Sequence, residues 1–129
     1  MSTKLSDHEK QIFKEYSEYL DGKSPVVTQL LLQVLLFLDE ITDNNYKIEK
    51  KKTSLHVVNN KAFLGIHFLT DKLRLNIVLK QPINTTFNHK IDKPSAHVYH
   101  NKVDLHTLDD FNKIKEHIIQ AYELTICDK

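Results

Sequence analysis

The sequence predicts an α+β domain of two layers, an antiparallel sheet of four to five strands packed on helices in the order α-α-β-β-β-β-α. Three observations carry that reading: apolar residues recur at helical spacing up to Glu40, alternate with polar ones between Thr53 and Lys80, and return to helical spacing after Thr107. At 129 residues the chain fits a single domain, 1–129 with an ordered core over about 6–126. That length lets it bury about two thirds of its unfolded surface without a disulfide or a metal.

Ser6 followed by Glu9 has the form of a capping box, and Phe13, Tyr16 and Leu20 then keep helical spacing until Gly22 offers a stop. Ser24-Pro25 opens a second helix running to about Glu40, with proline at the first helical position, where its missing N–H costs nothing. Apolar residues from Val26 to Leu38 occupy most of its circumference, which predicts burial on several sides. Thr28, Gln29 and Gln33 interrupt that run, and it is shorter than the roughly 20 residues a bilayer requires, so it is expected in a core.

After Thr42-Asp43-Asn44-Asn45 the period changes, and residues 53–58, 61–69 and 72–80 read as strands, with Lys50-Lys51-Lys52 as a solvated entry. A two-residue turn at Asn59-Asn60 pairs Val57 with Ala62, Leu55 with Leu64, Val58 with Lys61 and His56 with Phe63. A second turn at Thr70-Asp71 pairs Phe68 with Leu73, Ile66 with Leu75, Leu64 with Ile77 and Ala62 with Leu79. Both hairpins bury the same face of the middle strand, and a slip of one residue would reverse every assignment. Residues 81–94 read as a loop anchored by Ile83, Phe87 and Ile91, and residues 96–100 as a short fourth strand. Thr107 with Asp110 caps a last helix whose inward stripe is Phe111, Ile114, Ile118 and either Ala121 or Tyr122.

His97-Val98, Val103-x-Leu105, Leu108-Asp109-Asp110, and Ile114 and Ile118 leading to Ala121-Tyr122-Glu123 together resemble a bacterial family of unknown function. Its domain occurs alone or at the end of larger proteins, some of them labelled predicted transport proteins. The resemblance covers about 90 to 100 residues, mainly core positions, and the order of a leucine-rich helix before a meander agrees with it. It implies an α+β fold, no catalytic residues and no membrane segment. The chain departs from the family pattern in its 81–94 loop and its few glycines.

If Leu55, Val57, Ala62, Leu64, Ile66, Leu73, Leu75, Ile77 and Leu79 face the helices, the other face presents Ser54, His56, Phe63, Gly65, His67, Arg74, Asn76 and Val78. His56, Phe63, His67, Arg74 and Asn76 are the expected binding residues. Gly65 leaves room for a flat group, Phe63 offers stacking and Arg74 an anion contact, which suits a single-stranded nucleic acid or a protein partner. The plainer reading covers this face with a helix, the long loop or a second subunit of a homodimer.

No metal site, cofactor or catalytic residue is expected. His97, His100 and His106 are the densest of eight histidines, but strand alternation sends His97 and His100 to opposite faces, and no helical His-x-x-x-His pair exists. In the acidic cluster Asp104, Asp109 and Asp110, the latter two suit the positive end of a helix dipole. Cys127 lacks an activating neighbour, and Tyr122 has core spacing.

Eighteen basic against seventeen acidic residues provide no global field for nucleic acid or anionic lipid. The first ten residues lack the apolar run of a secretory signal, and one cysteine forms no intrachain disulfide. A cytoplasmic, non-enzymatic binding or accessory module is therefore expected, without membrane attachment. The alternatives are a small metal-dependent hydrolase or nuclease-like enzyme, and a structural dimer or assembly subunit.

Overall fold

A computed structural model describes residues 7–83, 88–95 and 98–127, with backbone alone for 7–9, 13, 88–95 and 127. Helix α1 (Asp7–Glu15) and the single turn α2 (Ser17–Leu20) form one broken helix. The Tyr16 carbonyl at the break accepts from the Tyr19 and Leu20 N–H groups at 2.9 and 3.1 Å. The chain leaves through Gly22 at φ 77°, a left-handed conformation that costs glycine little. The cap expected at Ser6 and the side chain of Phe13 lie outside the described residues.

Helix α3 (Pro25–Thr42) begins with proline at its start, as expected, but runs past Glu40. Thr42 Oγ1 donates to the Leu38 carbonyl at 2.6 Å, and the helix closes on left-handed Asp43, whose N–H reaches the Asp39 carbonyl. Val27, Leu30, Leu31, Val34, Leu35 and Leu38 are buried while Leu36 is exposed, so burial covers one broad face instead of the whole circumference. By length and composition α3 could equally cross a membrane; here its apolar face packs on the sheet and the last helix.

The expected class holds: helices pack on one side of an antiparallel sheet. The sheet has six strands in the order β1-β2-β3-β4-β6-β5, namely β1 (Lys47–Lys50), β2 (Ser54–Asn59), β3 (Lys61–Phe68), β4 (Leu73–Leu79), β5 (Asn88–Ser95) and β6 (Val98–Leu105). Helix α4 (Leu108–Cys127) follows. Both unexpected strands are edges. β1 is four residues long and three of them are charged; β5 lies in the stretch expected to be a loop, where Lys90, Asp92, Lys93 and Pro94 break the apolar pattern. Charge and proline are what keeps an edge strand from pairing with another chain. β6 continues beyond His100 because Tyr99, Val103 and Leu105 alternate through a buried Asn101. Ala96 and His97 lie outside the described residues.

The β3–β4 register is the expected one, with Phe68 opposite Leu73, Ile66 opposite Leu75 and Leu64 opposite Ile77. The β2–β3 register is not. Leu55 faces Ile66 and Val57 faces Leu64, a shift of two that keeps the facing of Leu55, Val57 and Leu64. Asn60 alone turns the chain at φ 61°, and the ladder shifts between Val57 and Val58, so that Val58 faces Ala62 and Phe63 is the extra residue of a bulge. The bulge reverses facing beyond it. Phe63 turns into the core at 1% exposure, 5.6 Å from the Tyr122 ring, and Ala62 turns out to solvent.

The core lies between α3, α4 and the inner row Leu55, Leu64, Ile66, Leu73, Leu75 and Ile77, each such side chain contributing about 1.5–3 kcal/mol by its burial. Phe111, Ile114, Ile118, Ala121 and Tyr122 supply the α4 side. At one end of the sheet Tyr19 stacks on Phe68 at 5.2 Å and donates to the Lys51 carbonyl at 2.6 Å, while the Ser24 N–H reaches Thr70 O at 2.7 Å. Lys50 is drawn into the same end, 5.1 Å over the Tyr16 ring. Past β4, Asn101 Oδ1 accepts from the Ile83 N–H at 2.8 Å and its Nδ2 donates to Ile77 O and Gln81 O. Ile83 is thereby the anchor expected of it; Phe87 lies outside the described residues and Ile91 belongs to β5.

Candidate binding face

Alternation along β4 buries Leu73, Leu75, Ile77 and Leu79 and leaves Arg74, Asn76 and Val78 half-buried on the opposite face. Antiparallel pairing then sets two rows across that outer face. One runs Ser54, His67, Arg74, Asp104; the other runs Glu49, His56, Gly65, Asn76, Lys102, with Lys90 next in register. His56, His67, Arg74 and Asn76 are therefore neighbours, as the sequence suggested. Phe63 is not among them: the bulge puts it in the core, and no stacking ring remains at its expected place between His56 and Val78.

Arg74 is engaged rather than open. Its Nε and Nη2 donate to Asp104 Oδ1 and Oδ2 at 2.6 and 3.1 Å, and Lys72 Nζ stands 3.1 Å from the same Oδ2. Burial alone would raise the Asp104 carboxyl, but the two hydrogen-bonded cations outweigh it and hold the group below the usual carboxylate value. Two cations share one anion, so the cluster keeps a net positive charge with its geometry fixed.

Asn76 is the centre of the second row. Its Nδ2 lies 3.0 Å from His100 Nδ1, and its Oδ1 is buried with no partner. Turning the amide over leaves the other polar end unsatisfied, so either assignment presents one unmet hydrogen-bonding group. Gly65 beside it is buried and leaves no dip: an added Cβ would stand 3.2 Å from Asn76 Cβ and 3.7 Å from His67 Nε2, so these side chains already take the room expected there for a flat group. Burial, then the nearby His56, Lys102 and Arg74, push the His67 imidazole below its ordinary value, so it is neutral near pH 7.

Other groups weighed from sequence are dispersed. Thr107 Oγ1 accepts from Asp110 N–H at 3.1 Å while Asp110 Oδ2 accepts from His106 N–H at 2.9 Å, a reciprocal cap that explains the acidic start of α4. Asp104 lies apart from it, on the sheet. His100 faces Asn76, His106 is exposed at the α4 cap, and His97 and the Cys127 side chain are outside the description. Among the described residues no three His, Cys, Asp or Glu side chains are placed to share a metal ion. Asp104, His100, Lys72 and Lys102 are the members of this face that the sequence did not assign to it; the strand was expected to end at His100, and the Val103-x-Leu105 alternation was the available signal that it runs on through Lys102 and Asp104.

Comparison with protein-family models, curated proteins and solved structures found no match for this chain.

Proposed function

We propose that this protein is a non-enzymatic binding module of the cytoplasm whose contact surface is the outer face of the sheet, and that its partner is a protein. The unmet amide of Asn76 carries the reading. A buried polar group without a partner costs about 1–3 kcal/mol, and because the Asn76 side chain is half-buried, turning its amide outward onto a partner that supplies the missing hydrogen bond relieves that cost. The fixed Arg74–Asp104–Lys72 cluster beside it supplies orientation without ordering cost. A polar protein surface fits this face better than single-stranded nucleic acid, which would need the stacking ring that Phe63 does not provide. Kinship with the bacterial family of unknown function stays part of the proposal, supported by the strand–helix segment ending Ala121-Tyr122-Glu123.

Affinity capture with the wild type and with a His56→Ala/Asn76→Asp variant tests it. A partner retained by the wild type and lost by the variant supports the proposal; retention by both overturns it. Saturable binding of single-stranded oligonucleotides at low salt, abolished in the same variant, would instead assign the face to nucleic acid. A concentration-dependent dimer broken by the variant would make it a subunit interface.

A further inference from the structure

The near-equal totals of basic and acidic residues hide a segregation that the fold creates. The four helices hold ten acidic and four basic residues, whereas the six strands hold seven basic and three acidic ones. Since the helices form one layer and the sheet the other, the two layers carry opposite net charge, and the outer sheet face lies on the basic side. Among the described residues, alternation and pairing put Lys47, Lys72, Arg74 and Lys102 on that face against Glu49 and Asp104. Both carboxylates are met by cations of this chain: Asp104 by Arg74 and Lys72, and Glu49 by Lys51 at 3.5 Å. The charged neighbours that hold down the His67 imidazole, after burial, are His56, Lys102 and Arg74, so the field over the middle of the face is positive. On the helix layer Glu40, Asp109, Glu116 and Glu123 are exposed, so an anionic partner is turned away there and toward the sheet.

We infer, resting on the reading of the outer face as a protein-binding surface, that its partner docks through an acidic segment whose Asp and Glu carboxylates lie over Arg74, Lys72 and Lys102. Arg74 and Lys102 stand in rows two residues apart along the strands, about 7 Å. That spacing fits carboxylates at alternate positions of an extended segment, or one turn apart on a helix. Charge complementarity of this kind sets orientation and speeds encounter, and the fixed Arg74–Asp104 fork keeps its cation in place before the partner arrives. A single nucleic-acid strand is also anionic, but the described residues of this face offer its bases no Phe or Tyr ring to stack on.

The test is amide chemical-shift titration of the full chain, at about 20 mM salt, with three probes: a Thr-Glu repeat peptide blocked at both ends, its Thr-Gln counterpart, and a thymidine strand of matching length. Expected are saturable shifts on β4 and β6 around Arg74 and Lys102, with the Thr-Glu peptide at least about tenfold tighter than either other probe, and loss of binding at about 500 mM salt. Lys102→Gln should weaken the Thr-Glu peptide by about threefold, and Lys14→Gln, exposed on α1, should leave it unchanged. Equal binding of the two peptides, shifts confined to the helices, or a thymidine strand as tight as the acidic peptide each overturns the inference, on the wild type and independently of how any variant folds. Failure of the acidic peptide, with a captured partner still lost in His56→Ala/Asn76→Asp, overturns the acidic partner and leaves the face as the binding surface; failure of both removes both.

Discussion

Arg74 and Asp104 meet across β4 and β6 as a two-bonded fork, 2.6 and 3.1 Å long, with the Asp104 side chain only 11% exposed. Removing one partner leaves the other's charge poorly solvated. Arg74→Ala is expected to cost about 2 kcal/mol in urea denaturation, with Arg74→Lys recovering part by keeping the charge but not the fork. The double variant Arg74→Met/Asp104→Leu should lose less than the sum of the two singles, because neither charge is then stranded. Additive losses would show that the pair acts as two independent surface groups.

Phe63 distinguishes the bulged register from the uninterrupted one. In the core against Tyr122, Phe63→Ala should cost about 3–5 kcal/mol, whereas His56→Ala on the half-buried outer face should cost less than about 1 kcal/mol. Equal, small losses in thermal or chemical denaturation would return Phe63 to the outer face.

The contrast between those two residues shows where sequence reasoning reached and where it stopped. Period-2 alternation with a tight turn was enough for β3 and β4, because Leu64, Ile66, Leu73, Leu75 and Ile77 all vote for one facing. The same logic failed past Val57, since a bulge at Phe63 depends on a single left-handed residue, Asn60, and asparagine is only one of several residues that tolerate that conformation. Phe63 and Ala62 then exchange faces, which removes the ring from the candidate site. β5 was hidden because edge strands carry the charge and proline that strand patterns exclude. Hiding the strand end that holds Asp104 hid the partner of Arg74, so the site was legible as a set of neighbours on β2 to β4 but not as a charge cluster.

The pH dependence of stability should show two separate windows. His67 is held below its ordinary value of 6.5, so the unfolded chain binds more protons and stability falls as pH drops from about 6.5 toward the folded value. Asp104 is held below 3.8, so its contribution is intact above that pH and is lost as acid titrates it through the folded value. His67→Gln should flatten the upper window and leave the lower one, and Asp104→Asn should do the reverse. Chemical denaturation at about pH 3 to pH 8 reads both; an unchanged upper window in His67→Gln would assign that slope to another group.

Asn101 offers the sharpest test of how the loop after β4 is held. Its amide, fully buried, accepts from Ile83 N–H and donates to two carbonyls, of Ile77 and Gln81. Asn101→Leu fills the space but strands a buried N–H, which should cost about 2–3 kcal/mol despite the gain in apolar area. Asn101→Asp keeps the acceptor for Ile83 but turns an anion toward two carbonyl oxygens, so it should be the more damaging near neutral pH and recover as acid protonates it. The Ile83 amide gives a local reading of the same event. Its hydrogen exchange should accelerate in Asn101→Leu beyond the change in global stability, whereas exchange that follows global stability alone would show that the loop is held by packing of the Ile83 side chain and not by the amide.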